Sequence, residues 1–147
     1  MSYSPIFRGK VASGVSELTG SIVLNNTGSV LAMLTPLRVN SSGVLSMINV
    51  SDESSMSVSG ITASIIENNS TGTLAFNGVI KNITTAAAFG DIMYISKTGG
   101  LTNIKPNIGV NSFLENDFMI RIGVIAKNKD NPSNKDLHLS IGVEGQL

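Results

Sequence analysis

The residues able to perform acid–base or nucleophilic chemistry are few and lie far apart in this sequence. The single histidine, His138, stands in the alternating stretch LHLSI (residues 137–141), which places it on the polar face of a strand together with Ser140. A catalytic histidine needs a nucleophile and an orienting carboxylate within reach, and one histidine among many serines indicates neither. We therefore interpret His138 as a surface or interface residue.

The ten Asp and Glu residues are also scattered, and only two segments come near to a metal-binding pattern. Glu115-Asn116-Asp117 and the segment from Asn128 to Asp136 both offer the oxygen ligands that calcium prefers. The second segment lacks the ligand spacing of an EF-hand, and its lysines oppose cation binding. We interpret it as a hairpin loop and expect neither a metal nor another cofactor.

Two further kinds of site find no support in the sequence. The chain has no cysteine, so disulfides, thiolate metal sites and cysteine nucleophiles are excluded. Gly99-Gly100 lies between two predicted strands, so no helix N-terminus follows it to hold a phosphate group. Titratable groups this dispersed do not make a catalytic pocket, and the sequence predicts a protein without enzymatic activity.

The charge and hydropathy of the chain indicate which classes of partner it can bind. Ten basic and ten acidic residues cancel to a formal net charge of zero, and phosphate neutralisation supplies most of the affinity of nucleic-acid binders. We therefore expect no nucleic-acid partner, and no membrane span either, because no apolar run reaches the roughly 20 residues of a membrane helix. Charged residues make up 14% of the chain, against about 25% in typical soluble domains, which indicates that much of the surface faces other protein.

The histidine and the carboxylates discussed above must be positioned by short runs rich in β-branched residues. Turns containing Gly or Asn separate these runs. They predict an all-β fold, a small β-barrel or rolled sandwich of about ten short strands. We expect a single β domain over residues 1–147, with an N-terminal arm at 1–16 and the barrel at 17–147, and at most two single helical turns, at 83–89 and 112–116. The predicted strands are Gly20–Leu24, Val30–Leu34, Leu37–Asn40, Val44–Val50, Ile61–Glu67, Thr73–Asn82, Ile92–Ser96, Leu101–Ile104, Phe118–Lys127 and Leu137–Val143.

Several of these strands are apolar on both faces, most clearly Ile92–Ile95 and Phe118–Ala126. Such a strand must be covered on both sides. We favour a neighbouring subunit as the cover, and a rolled two-layer fold or a covering loop of the same chain would also serve. The tripeptide Ile-Gly-Val occurs at 108–110, 122–124 and 141–143, and we interpret its glycines as barrel corners.

Residues 89–94 (FGDIMY), residues 98–102 (TGGLT) and the Ile-Gly-Val step at 108–110 resemble the capsid decoration proteins of tailed bacteriophages, also called cement or head auxiliary proteins. The early strand GSIV (20–23) and the ending LHLSIGVEGQL (137–147) fit the same layout. The Asn- and Ser-rich middle, about residues 40–71, departs from it. The resemblance implies a small β-barrel, usually a homotrimer, that is made in the host cytoplasm and lies on the exterior of the virion capsid.

In that role the protein would bind the outer surface of the major capsid protein lattice and stabilise it, without catalytic residues. We expect its capsid or subunit contacts in the N-terminal arm, at Tyr3, Ile6, Phe7 and Arg8. One alternative is the base or attachment domain of a head or tail fibre. A carbohydrate-binding β-sandwich is less favoured, because the chain has only 5% aromatic residues and no tryptophan, and a small hydrolase using His138 is least favoured.

Overall fold

The computed structural model describes residues 18–53 and 57–147, and the four predicted arm contacts lie outside these ranges. Within them the chain forms nine strands and no α-helix, so the predicted all-β class is confirmed. The strands are β1 (Leu18–Leu24), β2 (Pro36–Val39), β3 (Leu45–Met47), β4 (Gly60–Thr62), β5 (Thr71–Ile83), β6 (Ile92–Ile95), β7 (Leu101–Thr102), β8 (Phe118–Lys127) and β9 (Lys135–Gln146).

One antiparallel sheet joins these strands and curls into a half-barrel. The order is β3-β2-β4-β5-β9-β8-β6-β7, with β1 paired to β5 outside this path. The long strand β5 links the two parts of the sheet, because its first half pairs with β1 and β4 and its second half with β9. Gly78 lies between the halves at φ 96°, a conformation that glycine adopts without a steric penalty.

The two ends of the strand order approach each other and narrow the opening of the half-barrel. A Cβ atom on Gly99, in the turn between β6 and β7, would lie 3.1 Å from the carbonyl oxygen of Ile48, just after β3. The amide of Phe118, the first residue of β8, donates a hydrogen bond to the carbonyl oxygen of Val50 at 2.8 Å. The segment that follows β3 therefore packs against both the β6–β7 turn and the start of β8.

Two apolar clusters cover the sheet on both faces. In β5, the adjacent residues Leu74 and Ala75 belong to different clusters, so this strand is buried from both sides. The predicted two-sided cover of β6 is also found, because Met93, Tyr94 and Ile95 are buried and only Ile92 is 39% exposed. For β6 the cover favoured from the sequence, a neighbouring subunit, was wrong, since the chain's own segments provide it. In β8 one face is buried by the chain, while the alternate residues on the other face remain partly exposed.

One predicted strand is corrected, and neither of the two helical turns that the sequence allowed is formed. The segment 30–34 is not a strand but makes one bridge, between Leu31 and Ile66, because Leu34 at φ 66° turns the chain. Residues 112–116 are not helical, since Ser112 and Asn116 have φ values of 69° and 74°, which a right-handed helix does not allow. Residues 83–89 form no helix either: Ile83 is the last residue of β5, and the carbonyl oxygens of residues 85 and 87 accept hydrogen bonds from Lys135 Nζ.

The glycines of the Ile-Gly-Val tripeptides have different roles. Gly123 lies in β8 where the pairing with β9 shifts register, and a Cβ atom there would lie 2.1 Å from the carbonyl oxygen of His138. This agrees with the interpretation of a bend with close backbone approach. Gly109 is not a barrel corner: it lies in the loop between β7 and β8, at φ 82°.

Candidate functional site

His138 lies where the alternating sequence predicts it. It pairs with Val79 of β5 and with Val124 of β8, and its side chain and that of Ser140 are exposed. The nearby carboxylate of Asp136 is buried and accepts hydrogen bonds from the Asn82 amide at 2.9 Å and from Asn128 Nδ2 at 3.1 Å. Asp136 therefore ties β5 to the hairpin that joins β8 and β9. The predicted hairpin loop at residues 128–136 is found between these two strands.

Asp117 is at the centre of a polar cluster that joins three distant segments. Its buried carboxylate accepts hydrogen bonds from Ser51 Oγ at 2.8 Å, from the Leu114 amide at 2.8 Å and from Lys97 Nζ at 2.5 Å. Lys97 Nζ also donates to Ser51 Oγ at 2.8 Å. Ser51 follows β3, Lys97 lies in the β6–β7 turn and Asp117 precedes β8, so the cluster fastens together the segments that narrow the half-barrel opening.

A serine beside a lysine raises the question of nucleophilic catalysis. A lysine that activates a serine must accept its proton, and for this it needs a free lone pair. Lys97 forms an ion pair with Asp117, and an ammonium group in an ion pair has no lone pair to offer. The Ser51 hydroxyl donates to the carboxylate as well. The arrangement favours a structural role for the cluster.

The Asp117 cluster holds one end of a long loop, residues 103–117, which we call the apolar loop. Phe113 is 1% exposed and anchors the loop in the larger apolar cluster. The Gly109 amide donates to the Phe113 carbonyl oxygen at 2.8 Å, and the Phe113 amide to the Val110 oxygen at 3.1 Å. The Asn116 amide donates to the Leu147 carbonyl oxygen at 2.6 Å. The loop is therefore tied to the body of the protein by both packing and hydrogen bonds.

Around its buried anchor the apolar loop presents large aliphatic side chains to solvent. Ile104, Ile108, Val110 and Leu114 are 50%, 55%, 36% and 61% exposed. Beside them lies an open cleft of about 320 Å³, lined by Lys105, Pro106, Asn107, Met119 and Leu147. Long loops without secondary structure in compact domains are usually functional, so a loop with four exposed aliphatic side chains is a candidate interaction site.

Sequence reasoning missed this site. It predicted a strand through Ile104 and a helical turn from Ser112, and it interpreted Gly109 as a barrel corner. The available signal was the spacing, because the stretch between β7 and β8 is unusually long and contains four turn-forming asparagines, at 103, 107, 111 and 116. Which of its apolar residues face the core and which face solvent follows only from the tertiary packing of Phe113.

The comparisons with known proteins decide nothing further about this surface. The chain matches no protein-family model and no curated protein. Among the residues that the structure describes, no three His, Asp or Glu side chains come together as metal ligands. No helix within the same residues is long and apolar enough to span a membrane. The apolar loop is the feature of the described chain that offers the clearest basis for a function.

Because of Asp117, the apolar loop should become less stable at acid pH. Burial by itself raises the pKa of the Asp117 carboxyl, but hydrogen bonds from Lys97, the Leu114 amide and Ser51 outweigh it, and the pKa is lowered from its ordinary value of 3.8. The carboxylate therefore stabilises the fold fully above the unfolded-state pKa, and this contribution is lost as the pH falls through the lower folded-state pKa.

We expect Asp117→Asn to lower the free energy of unfolding at pH 7 by about 2–3 kcal/mol, because it leaves Lys97 without its ion-pair partner. The difference from the wild type should begin to shrink below 3.8, where the unfolded wild-type carboxyl takes up a proton, and should be smallest below the lower folded-state pKa, where the folded carboxyl is protonated as well. Urea unfolding of both proteins between pH 2 and 7 measures the difference in the free energy of unfolding. The other carboxylates are the same in both proteins, so their contributions to its pH dependence cancel. A difference that stays constant down to the lowest pH would contradict the ion-pair role.

Proposed function

We propose that this protein is a non-enzymatic structural protein of a bacteriophage virion. In this proposal it decorates and stabilises the capsid by binding the outer surface of the major capsid protein lattice, as a homo-oligomer, with three copies as the sequence resemblance implies. The observation that supports it best is the apolar loop, whose exposed aliphatic side chains flank the buried Phe113 and the hydrogen bonds to Asp117. A rigid apolar surface binds another protein with little loss of conformational entropy.

The placement of the polar side chains also supports a binding role rather than chemistry. Asp117 and Asp136 are buried and hydrogen-bonded within the fold. Arg121 of β8 pairs with Glu144 of β9 at 2.7 Å, so this ion pair stabilises the strand ladder. Burial raises the pKa of Tyr94, as does the charge of Glu144, with Arg121 opposing, so its phenol is protonated at neutral pH. These groups are engaged in holding the structure together.

Among the described residues only two aromatic rings are substantially exposed, those of Phe76 at 49% and Phe89 at 41%, which gives limited support to a sugar-binding alternative. Tyr94, Phe113 and Phe118 are buried. Phe89 is 41% exposed, but the ammonium groups of Lys127 and Lys135 lie 5.6 and 5.7 Å from its ring centre. A ring already in contact with two cations is a poorer platform for stacking a sugar than an open aromatic face.

The double variant Ile108→Asp with Leu114→Asp tests the proposed capsid contact. Both side chains are more than half exposed, so the fold should tolerate the change, while the charges would have to be desolvated at an apolar interface. We expect affinity for capsids assembled from the major capsid protein of the same phage to fall by about tenfold or more. Co-sedimentation of the variant with such capsids, over a concentration series, measures the loss.

Ile65→Asp is the matched control, since Ile65 is 64% exposed and lies outside the apolar loop. Its capsid occupancy should equal that of the wild type. Unchanged occupancy of the double variant would exclude the apolar loop as the contact. A wild-type protein that is strictly monomeric at tens of micromolar and also fails to bind the capsids would contradict the proposed function as a whole.

A further inference from the structure

Strand β1 has an open edge that nothing in the described part of the chain covers. It pairs with β5 along one side only, and its residues are mostly exposed. Ile22 and Leu24, on the same face of the strand, are 73% and 51% exposed. Proteins normally protect such an edge with charge, proline or a very short strand, yet the seven residues of β1 (LTGSIVL) contain neither charge nor proline.

The hydrogen bonding of β5 shows which residues of β1 point their backbone groups toward this edge. The carbonyl oxygen of Thr73 accepts a hydrogen bond from Ala63, so it points away from β1. Thr73 is the partner of Ile22, and the Ile22–Thr73 pair is therefore a non-hydrogen-bonded pair of the ladder. The N–H and C=O groups of Ile22 must then point outward, and by the two-residue period those of Gly20 and Leu24 do so too.

These three outward-pointing residues are complementary to themselves in one antiparallel register. If Ile22 pairs with Ile22 of a second copy, Gly20 of each copy lies opposite Leu24 of the other, and every outward N–H and C=O among them finds a partner. The side chain of Leu24 then extends over a residue that has none. Neither β1 nor the paired segment of β5, residues 71–78, contains a charged residue, so no like charges meet.

We propose that β1 is a contact between two copies of this chain, which pair their β1 strands antiparallel about a two-fold axis at Ile22. This inference goes beyond the proposed function and does not depend on it. A two-fold contact does not close a trimer; on a capsid lattice it would connect copies that belong to neighbouring oligomers. A stable protein interface buries roughly 1,200 Å² or more, and a contact of so few residues buries much less. The pairing is therefore weak in solution and gains strength where many copies are held close together.

The natural absence of cysteine allows a direct test of the register on the purified protein alone. In the proposed pairing the two Ile22 Cα atoms lie about 5.5 Å apart, within the range that a disulfide spans. We expect Ile22→Cys to form a covalent dimer under mild oxidation at least about fivefold faster than Ile65→Cys, which places a thiol at a similarly exposed isoleucine outside β1. Non-reducing gel electrophoresis over a time course measures both rates.

A charge at the same position provides the second measurement. If the wild-type protein dimerises at high concentration as proposed, sedimentation should show that Ile22→Lys abolishes the dimer and that Ile65→Lys leaves it unchanged. Equal rates of cross-linking for the two cysteine variants would overturn the proposal. So would slow hydrogen exchange of the Ile22 amide in a strictly monomeric protein, because that result would assign the cover of β1 to residues 1–17 of the same chain. Because no capsid is present, these outcomes are separate from failure of the proposed function.

Discussion

Phe113→Ala is expected to lower the free energy of unfolding by about 3–5 kcal/mol, the range observed when large aromatic side chains are removed from protein cores. Phe113 is among the largest fully buried side chains, at 1% exposure, and between Ile104 and Leu114 only Phe113 and the smaller Pro106 are buried. Its removal leaves a cavity in the larger apolar cluster and frees the loop from its anchor. Chemical denaturation monitored by circular dichroism gives the change in stability.

Phe89→Ala is the matched control for this experiment. Phe89 is 41% exposed, and its known contacts are with the ammonium groups of Lys127 and Lys135, so its loss should cost no more than about 1 kcal/mol. Under conditions where Phe113→Ala remains folded, we also expect it to bind capsids more weakly, because a mobile loop loses conformational entropy on binding. Equal destabilisation by the two substitutions would show that Phe113 does not anchor the loop.

Gly123→Ala is expected to have the larger effect and to prevent stable folding at 37 °C. The new Cβ atom would lie 2.1 Å from the carbonyl oxygen of His138 and 3.2 Å from a methyl group of Leu137. The first contact is with backbone of the adjacent strand, which cannot move aside without breaking the pairing of β8 with β9. Among point mutations, losses of more than about 4–5 kcal/mol arise from steric conflicts of this kind. The yield of soluble protein and its thermal unfolding curve measure the effect.

Gly145→Ala supplies the comparison within the same pair of strands. Gly145 of β9 pairs with Met119 of β8, and a Cβ atom there would meet no atom within 4 Å. The variant should therefore fold with stability within about 0.5–1 kcal/mol of the wild type. If Gly123→Ala folds as well as Gly145→Ala, the close approach of β8 and β9 at His138 is not required by the fold.

The three tested features hold the region around the apolar loop in place. The Asp117 cluster, the anchor Phe113 and the close pairing of β8 with β9 all fasten the region from which the apolar loop projects. A surface ordered in advance loses little entropy when it docks, so several weak contacts of this type can hold a protein on a repeating lattice. The proposed capsid decoration role would make use of this property.

The sequence alone determined the fold class and most of the strands. The predicted strand at Phe118–Lys127 matches β8 residue for residue, and the other long strands differ from prediction by a few residues at their ends. The physical reason is local: a run of β-branched residues, bounded by Gly and Asn turns, favours a strand over a helix. The exposure of His138 also followed from local alternation, because neighbouring residues of a strand face opposite sides.

Only the tertiary structure decided which apolar surfaces are buried and which polar groups meet. Ser51, Lys97 and Asp117 are far apart in the sequence and come together because the curled sheet brings the end of β3 to the start of β8. The doubly apolar strand β6 is covered by its own chain, while Ile22, Ile108 and Leu114, which look no different in the sequence, remain exposed. Composition states how much apolar surface a chain has, but its distribution between core and interface depends on contacts between residues that no local pattern encodes.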